Sequence, residues 1–140
     1  MSVYLDASVL VALFTDDPFT SRADTFLRAN AFVLVVSDFA AAEFASVIAR
    51  HVRTKEITPD DARTAFSTFD AWTARTTQCA QTTAADVAVA ETFLRRLDLT
   101  LRTPDAINIA IAQRIEATLV TFDDKMMANA RALGTPVVEA

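Results

Sequence analysis

One cysteine, one glycine and one histidine in 140 residues exclude several classes of protein at once. Cys79 alone permits neither an internal disulfide nor a cysteine-based zinc site, which fits a reducing cytoplasm. A single glycine with four prolines leaves no room for a flexible linker or a low-complexity tail. His51 falls at the basic end of a predicted helix and reads as a surface residue rather than a ligand. No apolar run approaches the roughly 20 residues that a membrane span needs. The apolar start of the chain has no basic leader and is interrupted by Asp6, so it belongs to the fold. A cationic excess is missing too. Thirteen basic residues against eighteen acidic ones give a net charge of −5, and the pI is about 4.7. That balance argues against bulk, charge-driven nucleic-acid binding while leaving a local basic strip open. The expectation is a soluble, cytoplasmic protein.

What is present is a single domain, residues 1–140, long enough to bury a sizeable core. Its hydrophobic content is 52% and its mean hydropathy +0.27, high enough to predict some apolar surface for a partner. Val3-Tyr4-Leu5, Phe32–Val36 and Thr118–Thr121 are short apolar runs rich in β-branched residues, as in strands buried on both faces. Gln78-Cys79-Ala80 and Pro136-Val137-Val138 are shorter candidates, the former for an edge strand. Helices are expected over Ser8–Phe14, from Pro18 to about Asn30, and over Asp38–Val52 behind a Ser37 cap. Further helices follow after Thr58-Pro59 and after Thr83, then over Asp105–Ile115 with Thr103 as cap, and around Lys125–Leu133 up to Gly134. The aromatic stripe Phe66, Phe69 and Trp72 reads as core. Val87, Ala90, Leu94 and Leu97 are expected to face inward. Buried strands alternating with helices predict an α/β three-layer sandwich, a central and mainly parallel sheet flanked by helices.

Four acids stand where solvation is difficult or placement is deliberate. Asp6 ends a buried strand, where it either caps the next helix or joins a ligand site at the sheet's carboxyl edge. Glu43 falls within the apolar stripe Phe39, Ala42, Ser46, Val47 of its helix. Asp105 opens a helix apolar nearly all round, and Asp123 follows a buried strand, with Asp124 the better placed to cap the last helix. In a parallel sheet these positions share one edge. Unit charges ~5 Å apart at an effective dielectric near 20 repel by roughly 3 kcal/mol per pair, so a cluster of four must be partly protonated or neutralised by a cation. An all-oxygen set without histidine or cysteine predicts Mg²⁺, with Mn²⁺ possible, rather than zinc. Such a cage suits phosphodiester hydrolysis. Ser8 and Thr121 place hydroxyls beside Asp6 and Asp123. Arg50, Arg53 and Lys55 form the densest basic group, and Arg95, Arg96 and Arg102 another.

At these residues the chain resembles the PIN-domain family, specifically the VapC-type toxins of bacterial toxin–antitoxin pairs. The resemblance rests on Tyr4-Leu5-Asp6-Ala7-Ser8-Val9-Leu10-Val11-Ala12-Leu13 and on Ser37 with Glu43 six residues on. It continues through Thr103-Pro104-Asp105-Ala106-Ile107-Asn108-Ile109-Ala110-Ile111-Ala112 and Leu119-Val120-Thr121-Phe122-Asp123. It implies a PIN-like fold with catalytic, metal-holding acids at Asp6, Glu43, Asp105 and Asp123, and auxiliary polar positions at Ser8 and Thr121. Asp124 has no counterpart. It also implies a Mg²⁺-dependent endoribonuclease acting on RNA, usually a homodimer, neutralised by a cognate antitoxin protein. Two other readings stay open: a catalytically silent PIN-fold protein that works by partner binding, and a receiver-type phosphoryl-transfer protein using Asp123-Asp124-Lys125.

Overall fold

The computed structural model describes residues 1–140. Five parallel strands form one sheet in the order β3-β2-β1-β4-β5: β1 (Ser2–Leu5), β2 (Val33–Ser37), β3 (Thr77–Ala80), β4 (Thr118–Val120) and β5 (Val137–Val138). Seven helices alternate with them: α1 (Ala7–Phe14), α2 (Thr20–Ala29), α3 (Asp38–Arg53), α4 (Pro59–Thr76), α5 (Ala84–Leu94), α6 (Thr103–Arg114) and α7 (Asp124–Ala132). This is the three-layer α/β sandwich expected from the alternation of apolar runs.

The central strand shows why those runs lack alternation. Tyr4 enters one core with Val35, Leu119, Ile109, Ile111, Met126 and Ala130, under α5, α6 and α7. Val3 and Leu5 point the other way, into a core with Leu10, Phe26, Phe44, Ile48 and Phe69 from α1 to α4. A strand covered on both faces needs apolar residues at every position, and Val3, Tyr4 and Leu5 are all fully buried. The aromatic stripe is core as expected: Phe14 meets Phe44, Phe69 and Trp72 edge-on at 5.9, 5.5 and 5.3 Å between ring centres.

Two helices are rotated from their expected faces. In α3 the inward line is Ala40, Phe44 and Ile48, at i, i+4 and i+8, so Glu43 lies at the margin of the stripe and Ala42 and Ser46 are exposed. In α5 the buried residues are Asp86 and Ala90, while Val87 is 51% exposed; Leu97 lies beyond the helix end, in the turn after it, and is 89% exposed. The cause is an ion pair. Arg114 of α6 donates from Nε to Asp86 Oδ1 at 2.8 Å and from Nη2 to Asp86 Oδ2 at 3.0 Å, which turns Asp86 inward and Val87 out. Phe93 and Leu94 complete that face.

Helix starts follow the capping signals with three corrections. Thr58 with Asp61 and Thr83 with Asp86 form reciprocal capping boxes. The second helix begins at Thr20 rather than Pro18, because Pro18 and Phe19 form a turn in which Asp17 accepts the Phe19 N–H at 2.9 Å, and Thr20 Oγ1 lies 2.6 Å from Ala12 O, to which it donates. α6 is capped by Arg102 rather than Thr103, and Asp105 in the third helical position accepts from the Arg102 N–H at 3.2 Å. Asp123, not Asp124, caps α7, accepting from the Lys125 and Met126 N–H groups at 2.9 and 3.1 Å. With one glycine available, only α7 ends on it, Gly134 at φ 80°; Lys55, Leu97 and Glu116 take the left-handed turn after α3, α5 and α6 at φ 61°, 66° and 55°. No helix is long and apolar enough to cross a membrane.

The strand order sets the site. From β1 the chain moves outward through β2 to β3, then returns to β4 on the other side of β1 and moves outward again to β5. The crevice beyond the carboxyl ends of β1 and β4 is therefore the switch point where such sheets accept ligands. Asp6 follows β1, and Thr121, Phe122 and Asp123 follow β4.

Candidate active site

Asp6 serves both roles that its position allows. Its Oδ1 caps α1, accepting from the Ser8 N–H at 3.0 Å, the Val9 N–H at 3.3 Å and the Ser8 hydroxyl at 2.6 Å. Its Oδ2 accepts the Thr121 hydroxyl, whose oxygen in turn accepts the Asp123 N–H at 3.0 Å. The Phe122 N–H donates to Ser8 Oγ at 3.0 Å. Ser8 and Thr121 thus lock the Asp6 carboxylate between β1 and β4. One lone pair of Oδ2 stays open. Asp6 is only 7% exposed, and no cation pairs with it. Burial pushes its carboxyl up to about 6, against the hydrogen bonds from Ser8, Thr121 and Val9, which pull the other way.

Glu43 is held by a chain of hydrogen bonds that starts inside the sheet. Tyr4 donates its hydroxyl to Asn108 Oδ1 and lies 2.6 Å from Ser37 Oγ. Having given its one proton to Asn108, Tyr4 accepts from Ser37, and Ser37 Oγ accepts from the Ala40 N–H at 2.9 Å. The Asn108 amide then donates to Glu43 Oε1 at 2.6 Å and to Pro104 O at 2.9 Å. Every buried side-chain polar atom along this chain is paired, and its direction is fixed from Ser37 to Glu43. Burial raises the Tyr4 hydroxyl well above its usual range, and the negative charges of Glu43 and Asp6 add to this.

Glu43 and Asp105 are half-buried, and burial raises both carboxyls above the usual range. Asn108 works against this at Glu43, while the charges of Asp6 and Asp105 reinforce it. At Asp105 the Arg102 N–H and guanidinium work against it and Asp123 reinforces it. The charges of Asp6 and Asp105 thus act on Glu43, and that of Asp123 acts on Asp105. Asp123 is exposed at the rim. Arg102 Nε, 3.9 Å from Asp105 Oδ2, is the only cation paired with any of them. No three of the acids stand close enough to chelate an ion by themselves. Each keeps an oxygen with capacity to spare: Asp6 Oδ2 has its open lone pair, and Glu43 Oε2, Asp105 Oδ1 and Asp123 Oδ2 accept nothing from the protein.

The sequence pattern located the four acids, Ser8 and Thr121, and the sheet topology brings all six to one edge. It did not reveal the work of Tyr4, Ser37 and Asn108. Asn108 had a detectable signal, an amide one turn after Asp105 in a helix otherwise apolar at that point. His51 is half-buried rather than simply surface, with Nε2 3.4 Å from Glu56, and lines a cleft with Arg50 beside the site. Arg95 and Arg96 are neutralised by Glu91 and Asp98 at 3.0 and 2.9 Å, as expected for helix-end solvation.

Among curated proteins none matches the sequence. Among solved structures, the chain is similar to Mycobacterium tuberculosis VapC20, described as a sarcin–ricin loop cleaving toxin, with a TM-score of 0.74 and 18% identity over 90% of this chain and 93% of that one. It is similar to a chain of VapBC2 from Rickettsia felis, solved bound to a DNA fragment from its promoter, with a TM-score of 0.73 and 17% identity over 100% and 99% of the two chains. A toxin–antitoxin complex from Klebsiella pneumoniae matches with a TM-score of 0.60 and 21% identity over 90% of each chain. At these identities the likeness is one of fold. The family itself is shown by the PIN domain, which matches residues 3–132. The chain belongs to the PIN-domain family.

Proposed function

We propose that this protein is a Mg²⁺-dependent endoribonuclease, the toxin of a toxin–antitoxin pair, with Asp6, Glu43, Asp105 and Asp123 as its catalytic and metal-holding acids. The observation that carries the reading is the mutual placement of these carboxylates at the switch point of the sheet. Burial raises three of them, neighbouring acids add to this at Glu43 and Asp105, and one peripheral arginine is the only counter-charge. Such an arrangement is unfavourable unless a cation occupies it for part of the working cycle. The donor set suits Mg²⁺ or Mn²⁺. It is all oxygen and too widely spaced for a tight all-protein cage, and Mg²⁺ keeps several waters while binding through one or two carboxylates. When bound, the ion supplies positive charge against the phosphate and makes water a stronger nucleophile at neutral pH.

The chain's own residues supply position. Ser8 and Thr121 fix the rotamer of Asp6 so that its open lone pair serves the site, and the Tyr4–Asn108 chain fixes Glu43. These supports sit on rigid, buried elements, as a precise site requires. Raised carboxyls of this kind are also suited to proton transfer near neutral pH. The Ser8 hydroxyl is committed to Asp6 Oδ1 and to the Phe122 N–H rather than to the substrate, and in this reading water attacks the phosphodiester. Ser8 and Thr121 act as auxiliary residues through the Asp6 carboxylate.

The toxin role, the cognate antitoxin and a homodimeric assembly are drawn from the family and from the fold shared with toxin–antitoxin complexes. Cleavage of an RNA pool with Mg²⁺ or Mn²⁺, with EDTA and Asp6→Asn controls, tests the reading. The expected result is metal-dependent cleavage lost in the variant. Cleavage in EDTA, or full activity of Asp6→Asn, refutes it.

A further inference from the structure

Beside the acids, a cleft of about 430 Å³ is lined by residues that include Ser8, Phe19, Arg50, His51, Phe122 and Asp123. Three features of it point to one kind of ligand. Phe19 and Phe122 are stacked, with ring centres 4.7 Å apart and planes within 7°. Phe19 nevertheless stays 37% exposed, and the Arg22 guanidinium lies 5.3 Å from each ring centre, beside the pair. Ala7, Val11 and Val47 give the cleft an apolar lining, and Arg50, one turn after Val47 on α3, has no acidic partner, unlike Arg95 and Arg96. His51 lines the cleft beside Arg50, with its Nε2 3.4 Å from Glu56. Asp17 is engaged with the Phe19 N–H at 2.9 Å and so serves the turn that presents that ring. The cleft is also continuous with the active site, because Ser8 and Asp123 belong to both.

We propose that this cleft is a nucleotide subsite. One unpaired base of the substrate packs against the Phe19–Phe122 pair, and the neighbouring backbone phosphate pairs with Arg50. The inference rests on the ribonuclease reading and deepens it, by naming a single-stranded segment next to the cleaved bond as what the enzyme holds. The chemistry is that of single-strand readers, in which aromatic rings bind bases and unpaired cations bind phosphates. The volume lies in the range of a small-ligand pocket. It also meets the difficulty raised by the acidic pI, since one free arginine beside an aromatic pair replaces a broad basic surface.

The test measures binding of a fluorescent single-stranded RNA oligonucleotide to the protein in EDTA, where it is not cleaved, across a salt series. Phe19→Ala is expected to weaken binding about tenfold or more with little change in salt slope. Phe19→Trp, which keeps a ring, should retain affinity and shows that loss in the alanine variant is not misfolding. Arg50→Ala should weaken binding and flatten the log–log salt slope by about 0.7, the value for one phosphate on a single strand. Wild-type affinity in both Phe19→Ala and Arg50→Ala overturns the subsite. So does a loss confined to protein-partner binding, which would assign the cleft to a peptide. The failures separate cleanly. RNA cleaved with metal but insensitive to both variants sinks the subsite alone, and RNA bound through Phe19 and Arg50 but never cleaved sinks the ribonuclease reading alone.

Discussion

Asp6 and Asp86 make a controlled comparison within one molecule. Both are buried, at 7% and 2% exposure. Both stand at a helix start: Asp6 caps α1 and accepts from its Ser8 and Val9 N–H groups, and Asp86, in the first turn of α5, accepts from the N–H of the capping Thr83. They differ in their counter-charge. Arg114 grips Asp86 with two nitrogens and ties itself to Gln81 O at 2.8 Å with the same Nη2. Burial alone would raise the Asp86 carboxyl, but Arg114 and Thr83 outweigh it and hold the group below its usual range. At Asp6, Ser8, Thr121 and the helix N–H groups do not outweigh burial. A buried carboxylate with a fitted arginine is complete and serves the fold. One with hydroxyl donors and no cation is held in place for something that arrives.

The largest contrast is expected from replacing each carboxylate by its amide. Asp6→Asn should abolish RNA cleavage by at least about 10²-fold while leaving thermal stability at pH 7 equal or higher, because the variant removes a buried, unpaired charge. Asp86→Asn should do the reverse. Activity per folded molecule is kept, and stability falls by about 1–3 kcal/mol from the broken charge-assisted bonds. Cleavage assays beside denaturant melts on both variants check this. An Asp6→Asn protein that is inactive because it is unfolded would break the comparison.

The same contrast predicts opposite slopes with pH. A carboxyl raised on folding binds more protons in the native state, so it lowers stability as pH rises from the unfolded value near 3.9 through about 6. Two units at 1.36 kcal/mol each make this roughly 3 kcal/mol for Asp6. Glu43 and Asp105 shift in the same sense. Asp86, lowered on folding, contributes stability above about pH 4 that is lost as pH falls through its native value. The stability of wild type relative to Asp6→Asn should therefore decline between pH 4 and pH 6.5 and stay level above. In the Asp86→Asn comparison the change should be confined to pH below about 4. Denaturant midpoints across pH provide the measurement, and a flat difference for Asp6→Asn would show its carboxyl to be ordinary. Under the proposed function, millimolar Mg²⁺ at pH 7.5 should raise the melting temperature of wild type and not of Asp6→Asn.

The chain from Ser37 to Glu43 sharpens the contrast further, since it holds an acid without charge. Tyr4→Phe removes the donor to Asn108 Oδ1 in a buried place, at a cost of about 1–3 kcal/mol. Asn108→Ala frees Glu43 as well, so it should lower kcat about tenfold or more while the KM for RNA changes little. Equal kcat in Asn108→Ala and wild type would show that the chain is structural only.

What was readable in the sequence divides along the same line. Strands buried on both faces announce themselves as unbroken apolar runs, and capping pairs such as Thr58 with Asp61 are local, so most elements and the sheet's acidic edge could be anticipated. Asp6 was legible because a charge inside Val3–Leu10 has no bland neighbour to hide among. Asp86 was not, because its partner is 28 residues away on another helix. Without Arg114 the period of α5 places Val87 inward, and the structure turns the helix the other way. The Tyr4–Asn108 contact spans 104 residues and was hidden for the same reason. Local signals reach one or two helical turns, and a partner fixed by packing leaves no trace at that range.

The smallest expected effect isolates capping from burial. Asp123 accepts the first N–H groups of α7 as Asp6 does for α1, but it is exposed. Its value to the fold should be that of an ordinary cap. Asp123→Ala is expected to cost about 1 kcal/mol, and Asp124→Ala, in the first turn without a capping bond, no more than about 0.5 kcal/mol. If Asp123 also holds the ion, its replacement lowers activity far more than 1 kcal/mol of stability explains, and Asp124→Ala leaves activity unchanged. The pair thus asks at the rim what Asp6 and Asp86 ask in the interior. A carboxylate that caps a helix belongs to the site only if activity falls out of proportion to stability when it is removed.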